Sequence, residues 1–399
     1  MKKIIIPLFL ILTLFCACSS PLTKASNPKD EQVYVKSVWI AYYELSQLTK
    51  GRDESSFKKE ISQAFEKIHK MGFNTVTVQV RPCADAFYYS SYFPTSIYFN
   101  SNQGEDMSYD PLSIMCDVAD KYKLRIEAWI NPYRVSQDND YSKLCENNIA
   151  LLWHNSEDKK EYVKESDKKL YFNPAYPEVK ELIVKGVEEI VKGYSVDGIH
   201  FDDYFYPTTD SSFDSSAYDE YKKKGGELSL ADWRRDNVSS MIKEVHDSIK
   251  KINPDIVFGV SPASDIENDY SSLYADIEKW VSEEGYVDYI CPQIYFGFKN
   301  VKQPFMFTVK KWIALVRDSK ADLYVGLPLY KCSKVDEYAA TEDESIKNEF
   351  VDNHDIISRQ IIYLSKLDKV KGYYIFSYSF LDDEEIKDEV SSMVDAMKN

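Results

Sequence analysis

Hydrophobic and polar positions along this chain alternate between short apolar runs and longer amphipathic ones. The apolar runs are Val35 to Tyr43, Thr75 to Pro82, Arg125 to Pro132, Gly198 to Tyr204, Val257 to Pro262, Tyr289 to Phe296, Leu323 to Tyr330 and Gly372 to Tyr378. Helix-like spacing fills the gaps, and a final helix is predicted from Glu384 to Met397. Between the third and fourth runs, for example, Val179, Leu182, Ile183, Val187 and Ile190 mark one face of a helix. The apolar runs lack strict in-out alternation, as strands of a parallel sheet buried on both faces do. Eight such units predict an α/β protein, and more narrowly a (β/α)8 TIM barrel, one domain over residues 34–399. No glycine-rich phosphate loop follows the first strand, which removes the usual argument for a dinucleotide fold.

The connections are unequal. Those after strands two, three and four are long, Cys83 to Asp110, Tyr133 to Tyr176 and Phe205 to Ser229, and rich in Tyr, Asp, Asn and Ser. Loops that follow strands lie on the C-terminal face, where barrel enzymes keep their sites. The charge run from Glu157 to Lys169 reads as a solvated loop.

The first residues read as an address. Lys2 and Lys3 precede an apolar run, Ile4 to Phe15, of signal-peptide length and too short to span a bilayer. Ala17-Cys18 then resembles a bacterial lipobox, so residues 1–18 are expected to be a lipoprotein signal with Cys18 lipidated, and residues 19–33 a flexible tether. The protein is thus expected outside the cytoplasm, held to the cell or outer membrane only by that anchor. The remaining cysteines show neither disulfide-framework nor zinc-site spacing. A net charge of −16 argues against nucleic acid and against anionic lipid surfaces. No cofactor, metal or obligate protein partner is expected. Thirty-one Tyr and 20 Phe are a high aromatic load; much of it belongs to the core, but sugar-binding clefts also use aromatic faces.

Polar groups gather where the apolar runs stop: Arg81 after strand two, Asn131, Tyr133 and Arg134 after strand three, His200, Asp202, Asp203 and Tyr204 at strand four, Ser261 at strand five, Gln293 and Tyr295 at strand six. Burying such groups without partners is costly, so their convergence points to a site. By alternation His200 and Asp202 share a face, while Asp203 leaves on the turn. Adjacent carboxylates repel, and one tends to keep its proton. A helix-cap or cation cluster is the bland alternative. Glu127 shares a face with Asn131 but lies roughly 13 Å deeper at ~3.3 Å per residue. It is either a catalytic partner or a buried carboxylate tied to His200 or Arg81. Arg234, Arg235 and Asn237 sit near the mouth-facing start of a helix and are candidate donors.

Val38-Trp39-Ile40, Gly72-Phe73-Asn74-Thr75, Ala128-Trp129-Ile130-Asn131-Pro132-Tyr133-Arg134, Tyr171-Phe172-Asn173-Pro174, Asp197 to Pro207, Trp233-Arg234-Arg235-Asp236-Asn237-Val238, Gly259-Val260-Ser261-Pro262 and Pro292-Gln293-Ile294-Tyr295 stand in this order. Together they resemble the glycosyl hydrolase-like 10 family over about residues 35–380. The resemblance implies a (β/α)8 barrel, hydrolysis of glycosidic bonds and a polysaccharide substrate. For some members it implies action on peptidoglycan glycan strands stripped of their peptides. The chain departs from the family at Ala263-Ser264-Asp265-Ile266-Glu267-Asn268, a loop expected to line the site. The expected mechanism sets the bond between two carboxyl groups, Asp202 with Asp203 or Glu127. Either carboxylate attack, water activation or a substrate acetamide completes it. The rival readings are a non-catalytic glycan-binding lipoprotein, and a deacetylase or lyase on the same barrel. A deacetylase needs a His/Asp metal triad, and the five histidines show no suitable spacing.

Overall fold

A computed structural model describes residues Val33 to Lys398. The expected signal peptide, Cys18 and almost all of the tether lie outside the described residues. Eight strands close into an all-parallel barrel: β1 Val35–Ile40, β2 Thr75–Arg81, β3 Arg125–Ile130, β4 Gly198–Phe201, β5 Val257–Val260, β6 Tyr289–Ile290, β7 Asp322–Leu327 and β8 Val370–Ile375. Each strand hydrogen-bonds its sequence neighbours, and β8 returns to β1 through Ser37 opposite Tyr374. The TIM barrel read from the sequence is therefore the observed fold.

Alternation along the strands divides two cores. Outward residues such as Ile199, Phe201, Val76 and Val78 pack against the helices in one large apolar cluster. Inward residues are few, large and partly polar: Trp39, Trp129, Tyr289, Tyr324 and Tyr374 fill the lumen. Glycines make room for them. A Cβ on Gly259 would stand 2.1 Å from the Tyr289 ring, and one on Gly198 2.9 Å from Glu127 Cγ.

Several elements differ from expectation. The first apolar run ends at Ile40, and Tyr42–Thr49 is a helix held by Glu44, which accepts the Ala41 N–H at 2.7 Å. Only Tyr289 and Ile290 of the sixth run are regular strand. The gap between β5 and β6 holds not one helix but two short ones, Ile266–Ser271 and Ile277–Ser282, each capped by its preceding aspartate. The charge run after β3 is not all solvated loop. Val163–Ser166 and Lys169–Phe172 form a hairpin through Asp167-Lys168, both at positive φ. This hairpin pairs with Arg134–Ser136 to make a three-stranded antiparallel sheet beside the mouth.

Candidate active site

The strand ends open into a cavity of about 420 Å³. Trp39, Trp129 and His200 form its floor, and Asp202 and Asp203 line it where β4 ends. Ser261 and Gln293 come from β5 and β6. Tyr295, Tyr330 and Phe376 make an aromatic wall, with ring centroids 5.7 to 6.0 Å apart. Across the barrel stand Arg134, Gln137 and Lys169 of the small sheet, because β3 lies opposite β7 in the strand order. A larger groove, about 580 Å³, runs between helices Glu54–Lys70 and Lys387–Met397. Its charges are solvated helix pairs such as Lys70–Glu66 and Lys398–Asp395, whereas the mouth gathers buried carboxylates, so the mouth is the candidate site.

Asp202 is the most constrained carboxylate of the mouth. Its Oδ2 accepts the Trp129 indole N–H at 3.0 Å and the Asn131 amide at 3.2 Å. Burial pushes its pKa up to about 7, Arg134 opposes that rise and the neighbouring Asp203 adds to it. Asp203 is also raised, by burial first, with Gln293 hydrogen-bonding its carboxylate. Burial thus favours the protonated form of both adjacent carboxyls, and the charge of Asp203 adds to the rise at Asp202. Asn131 completes the support from below, accepting the Arg134 backbone N–H at 3.0 Å.

His200 is a fixed neutral ring. Trp39 Nε1, which can only donate, reaches His200 Nε2 at 3.2 Å, so the proton sits on Nδ1 and is donated to Tyr289 Oη at 2.8 Å. Tyr289 donates in turn to Glu127 Oε2 at 2.9 Å. Burial lowers the His200 pKa to about 3, so it stays uncharged. Glu127 lies below this floor. It accepts from Thr77, Tyr289 and Tyr374 and does not line the cavity. Of the two readings of Glu127, the buried one matches its position, with hydroxyl partners in place of His200 or Arg81.

The structure brings Asp202, Asp203, His200, Tyr204, Arg134, Ser261, Gln293 and Tyr295 to one cavity, sets Asn131 and Glu127 outside its lining as supports, and leaves five further expected residues away from it. Arg81 would face inward by simple alternation. A register shift between Gln79 and Arg81 sets Arg81 opposite the outward-facing Ile130, and its guanidinium stacks on Phe93 at 4.5 Å. Tyr133 is buried in the outer apolar cluster. Arg235 pairs with Asp232 at 2.6 Å and lies over Tyr270. Asn237 donates to Tyr206 at 3.4 Å. Arg234 is a buried clamp, held by both Asp214 oxygens and by Tyr274.

Asp269 was not singled out by sequence. It is buried on the short helix after β5, and its Oδ1 accepts the Ala263 N–H at 3.2 Å. Burial and then Asp203 raise its pKa to about 9. Nothing in the polar run 264–272 marks it from sequence, since only the fold buries that one carboxyl. Trp39, Tyr42 and Lys169 also line the cavity. Among the described residues no group of three His, Cys, Asp or Glu side chains is placed to hold a metal ion, so a metal triad for deacetylation is not assembled there.

Comparisons with known proteins bear on the family and the fold. The family model for Glycosyl hydrolase-like 10 matches residues 34–342. The glycosyl hydrolase YngK of Bacillus subtilis (strain 168) is 34% identical over 385 residues, 90% of this chain and 71% of YngK. The glycosyl hydrolase DigH of Escherichia coli (strain K12) is 32% identical over 346 residues, 82% of this chain and 76% of DigH. Among solved structures, the glycoside hydrolase domain of PgaB (BpsB) from Bordetella bronchiseptica matches with a TM-score of 0.58 at 11% identity, covering 91% of this chain and 98% of that one. At such identity the likeness speaks for the fold alone. On the family match, over most of its length, the chain belongs to the Glycosyl hydrolase-like 10 family.

Proposed function

We propose that the protein is an extracytoplasmic glycoside hydrolase that cleaves glycosidic bonds in peptidoglycan glycan strands and is tethered through a lipidated Cys18. The observation that carries the reading is the Asp202–Asp203 pair at the mouth, with Asp202 pushed up to about 7 where an aromatic wall can stack a sugar. A purely binding groove has no use for two buried, repelling carboxyls.

In this reading Asp202 holds the proton and delivers it to the leaving glycosidic oxygen as the bond from the anomeric carbon breaks. Ionised Asp203 stabilises the positive charge that builds on the sugar ring and takes the proton of the incoming water. Trp129 and Asn131 hold Asp202 through Oδ2, and Oδ1 takes one long contact from the Tyr204 N–H at 3.4 Å, which leaves it capacity to meet the substrate. His200 and Glu127 set the floor on which this geometry rests. Asp269, kept protonated at neutral pH, adds no second negative charge beside Asp203.

The test is digestion of purified glycan strands, with and without stem peptides, by wild type and Asp202→Asn, with products read by mass spectrometry. Sugar fragments from wild type and none from the variant are expected. Retained glycan binding with no fragments from either protein, across a panel of polysaccharides, would favour the non-catalytic reading.

A further inference from the structure

The excursion after β2, Cys83 to Asp110, is a long connection, yet none of its residues lines the mouth. It builds a cavity of its own, about 360 Å³, that shares no lining residue with the mouth. That volume falls within the ~300–1,000 Å³ of small-ligand sites. One wall is the run Tyr88-Tyr89-Ser90-Ser91-Tyr92-Phe93, and Asn147 joins it from the excursion after β3. The four aromatics divide into two pairs. Tyr88 and Phe93 are buried, whereas Tyr89 is 56% exposed and Tyr92 37%. The buried pair anchors the segment to helix Pro177–Gly193 and its end. Phe93 packs so closely on Gly186 that a Cβ there would stand 2.7 Å from its ring, and Tyr88 meets the Tyr194 ring at 5.7 Å. Glu189 of the same helix accepts the Ser90 hydroxyl and the Ser91 N–H, the latter at 2.9 Å. The Ser90 oxygen in turn accepts the N–H groups of Tyr92 and Phe93 at 3.1 and 3.0 Å. Tyr89 is fixed at both ends, its N–H donating to Asp110 and its hydroxyl to the Met107 carbonyl, each at 3.3 Å.

Two rings held out of the core on a backbone tied to a helix are preorganised, so a ligand that stacks on them costs little in ordering entropy. The rest of the lining selects the ligand. Ser91, Thr95 and Asn147 offer hydroxyls and an amide, Asp106 is the one charged side chain, and no Lys, Arg or His stands among the described lining residues. A phosphate or carboxylate would meet no cation there. A neutral sugar fits, because its C–H face stacks on an aromatic ring while its hydroxyls bond to small polar side chains and a carboxylate. We propose that the flank cavity at Tyr89 and Tyr92 is a second, non-catalytic glycan site that binds uncharged sugar rings of a polysaccharide. That this polymer is the one cleaved at the mouth rests on the glycosidase reading; the site itself does not. Its role is to hold the protein on an insoluble strand, which raises the effective concentration of that strand at the mouth. This gives the long excursion after β2 a purpose that the mouth does not supply.

The experiment is co-sedimentation of the protein with insoluble peptidoglycan, chitin and cellulose at graded polymer concentrations. All proteins carry Asp202→Asn and are kept on ice, so that binding is read without turnover. On the polymer that this parent binds, adding Tyr89→Ala and Tyr92→Ala should weaken apparent affinity roughly tenfold, the order expected for two lost stacking contacts. Adding Tyr89→Trp and Tyr92→Trp instead should keep it within about threefold of the parent, since the rings still stack, which separates lost stacking from a folding defect. Equal affinity of the alanine variant and the parent on all three polymers, or no binding of any polymer by the parent, overturns the site. Tyrosine-dependent binding of a polymer that wild type does not cleave would sink the enzymatic reading and leave the site standing.

Discussion

Replacing Asp202 by Asn should stabilise the protein, and do so more at neutral than at acid pH. The carboxyl is 3% exposed and burial pushes its pKa from an ordinary 3.8 to about 7. The folded state therefore binds the proton more tightly than the unfolded chain. The sign follows directly: a raised carboxyl weakens the fold as pH rises from 3.8 toward 7. With those two values the linkage relation gives a destabilisation of about 4 kcal/mol at pH 7 and about 1 kcal/mol at pH 4.5. The amide variant carries no such penalty. Its carbonyl can replace the oxygen that accepts from Trp129 and Asn131, and its NH2 gives up only the long 3.4 Å contact from the Tyr204 N–H. Urea unfolding of both proteins, followed by tryptophan fluorescence, should show an advantage for the variant that grows by about 3 kcal/mol between pH 4.5 and pH 7. A constant or shrinking difference would refute the claim that Asp202 is held as a buried acid that keeps its proton.

Three further outcomes follow from the same geometry. In wild type, kcat/KM should fall as pH climbs through about 7, because Asp202 then loses its proton; a flat profile to pH 9 would contradict this. Asp202→Asn should cost roughly 10²–10⁴ in kcat while Glu127→Gln costs less than about tenfold, since Glu127 sits beneath the floor on hydroxyl donors; equal losses would return Glu127 to the reacting centre. Asp214→Ala strands the buried Arg234 guanidinium and should lower stability by ~3–5 kcal/mol in urea unfolding, with kcat kept at permissive temperature.

The barrel was legible because eight β-rich runs, each followed by amphipathic spacing, leave few other packings. The carboxylates of the mouth were legible for a related reason. Gly198, His200 and Asp202 alternate inward, and an Asp at the mouth of a closed barrel has nowhere else to point. What escaped the sequence depends on events that alternation does not encode. One extra residue in the register of β2 turns Arg81 from the lumen to the outer shell. Arg234 and Asp214 are far apart in sequence, so a buried bidentate clamp read as a candidate substrate contact. The hairpin after β3 hid inside a charge run, because its two turn residues, Asp167 and Lys168, replace the usual glycine signal. Lys169 was passed over for the same reason. Asp269 reads as one acid among several until the fold buries it beside Asp203.

Digestion of stripped glycan strands in ¹⁸O-labelled water, with products weighed by mass spectrometry, tests the central claim most directly. The account predicts one labelled oxygen at each new reducing end with wild type and no fragments with Asp202→Asn. Unlabelled or anhydro ends, or the same labelled fragments from the variant, would contradict it.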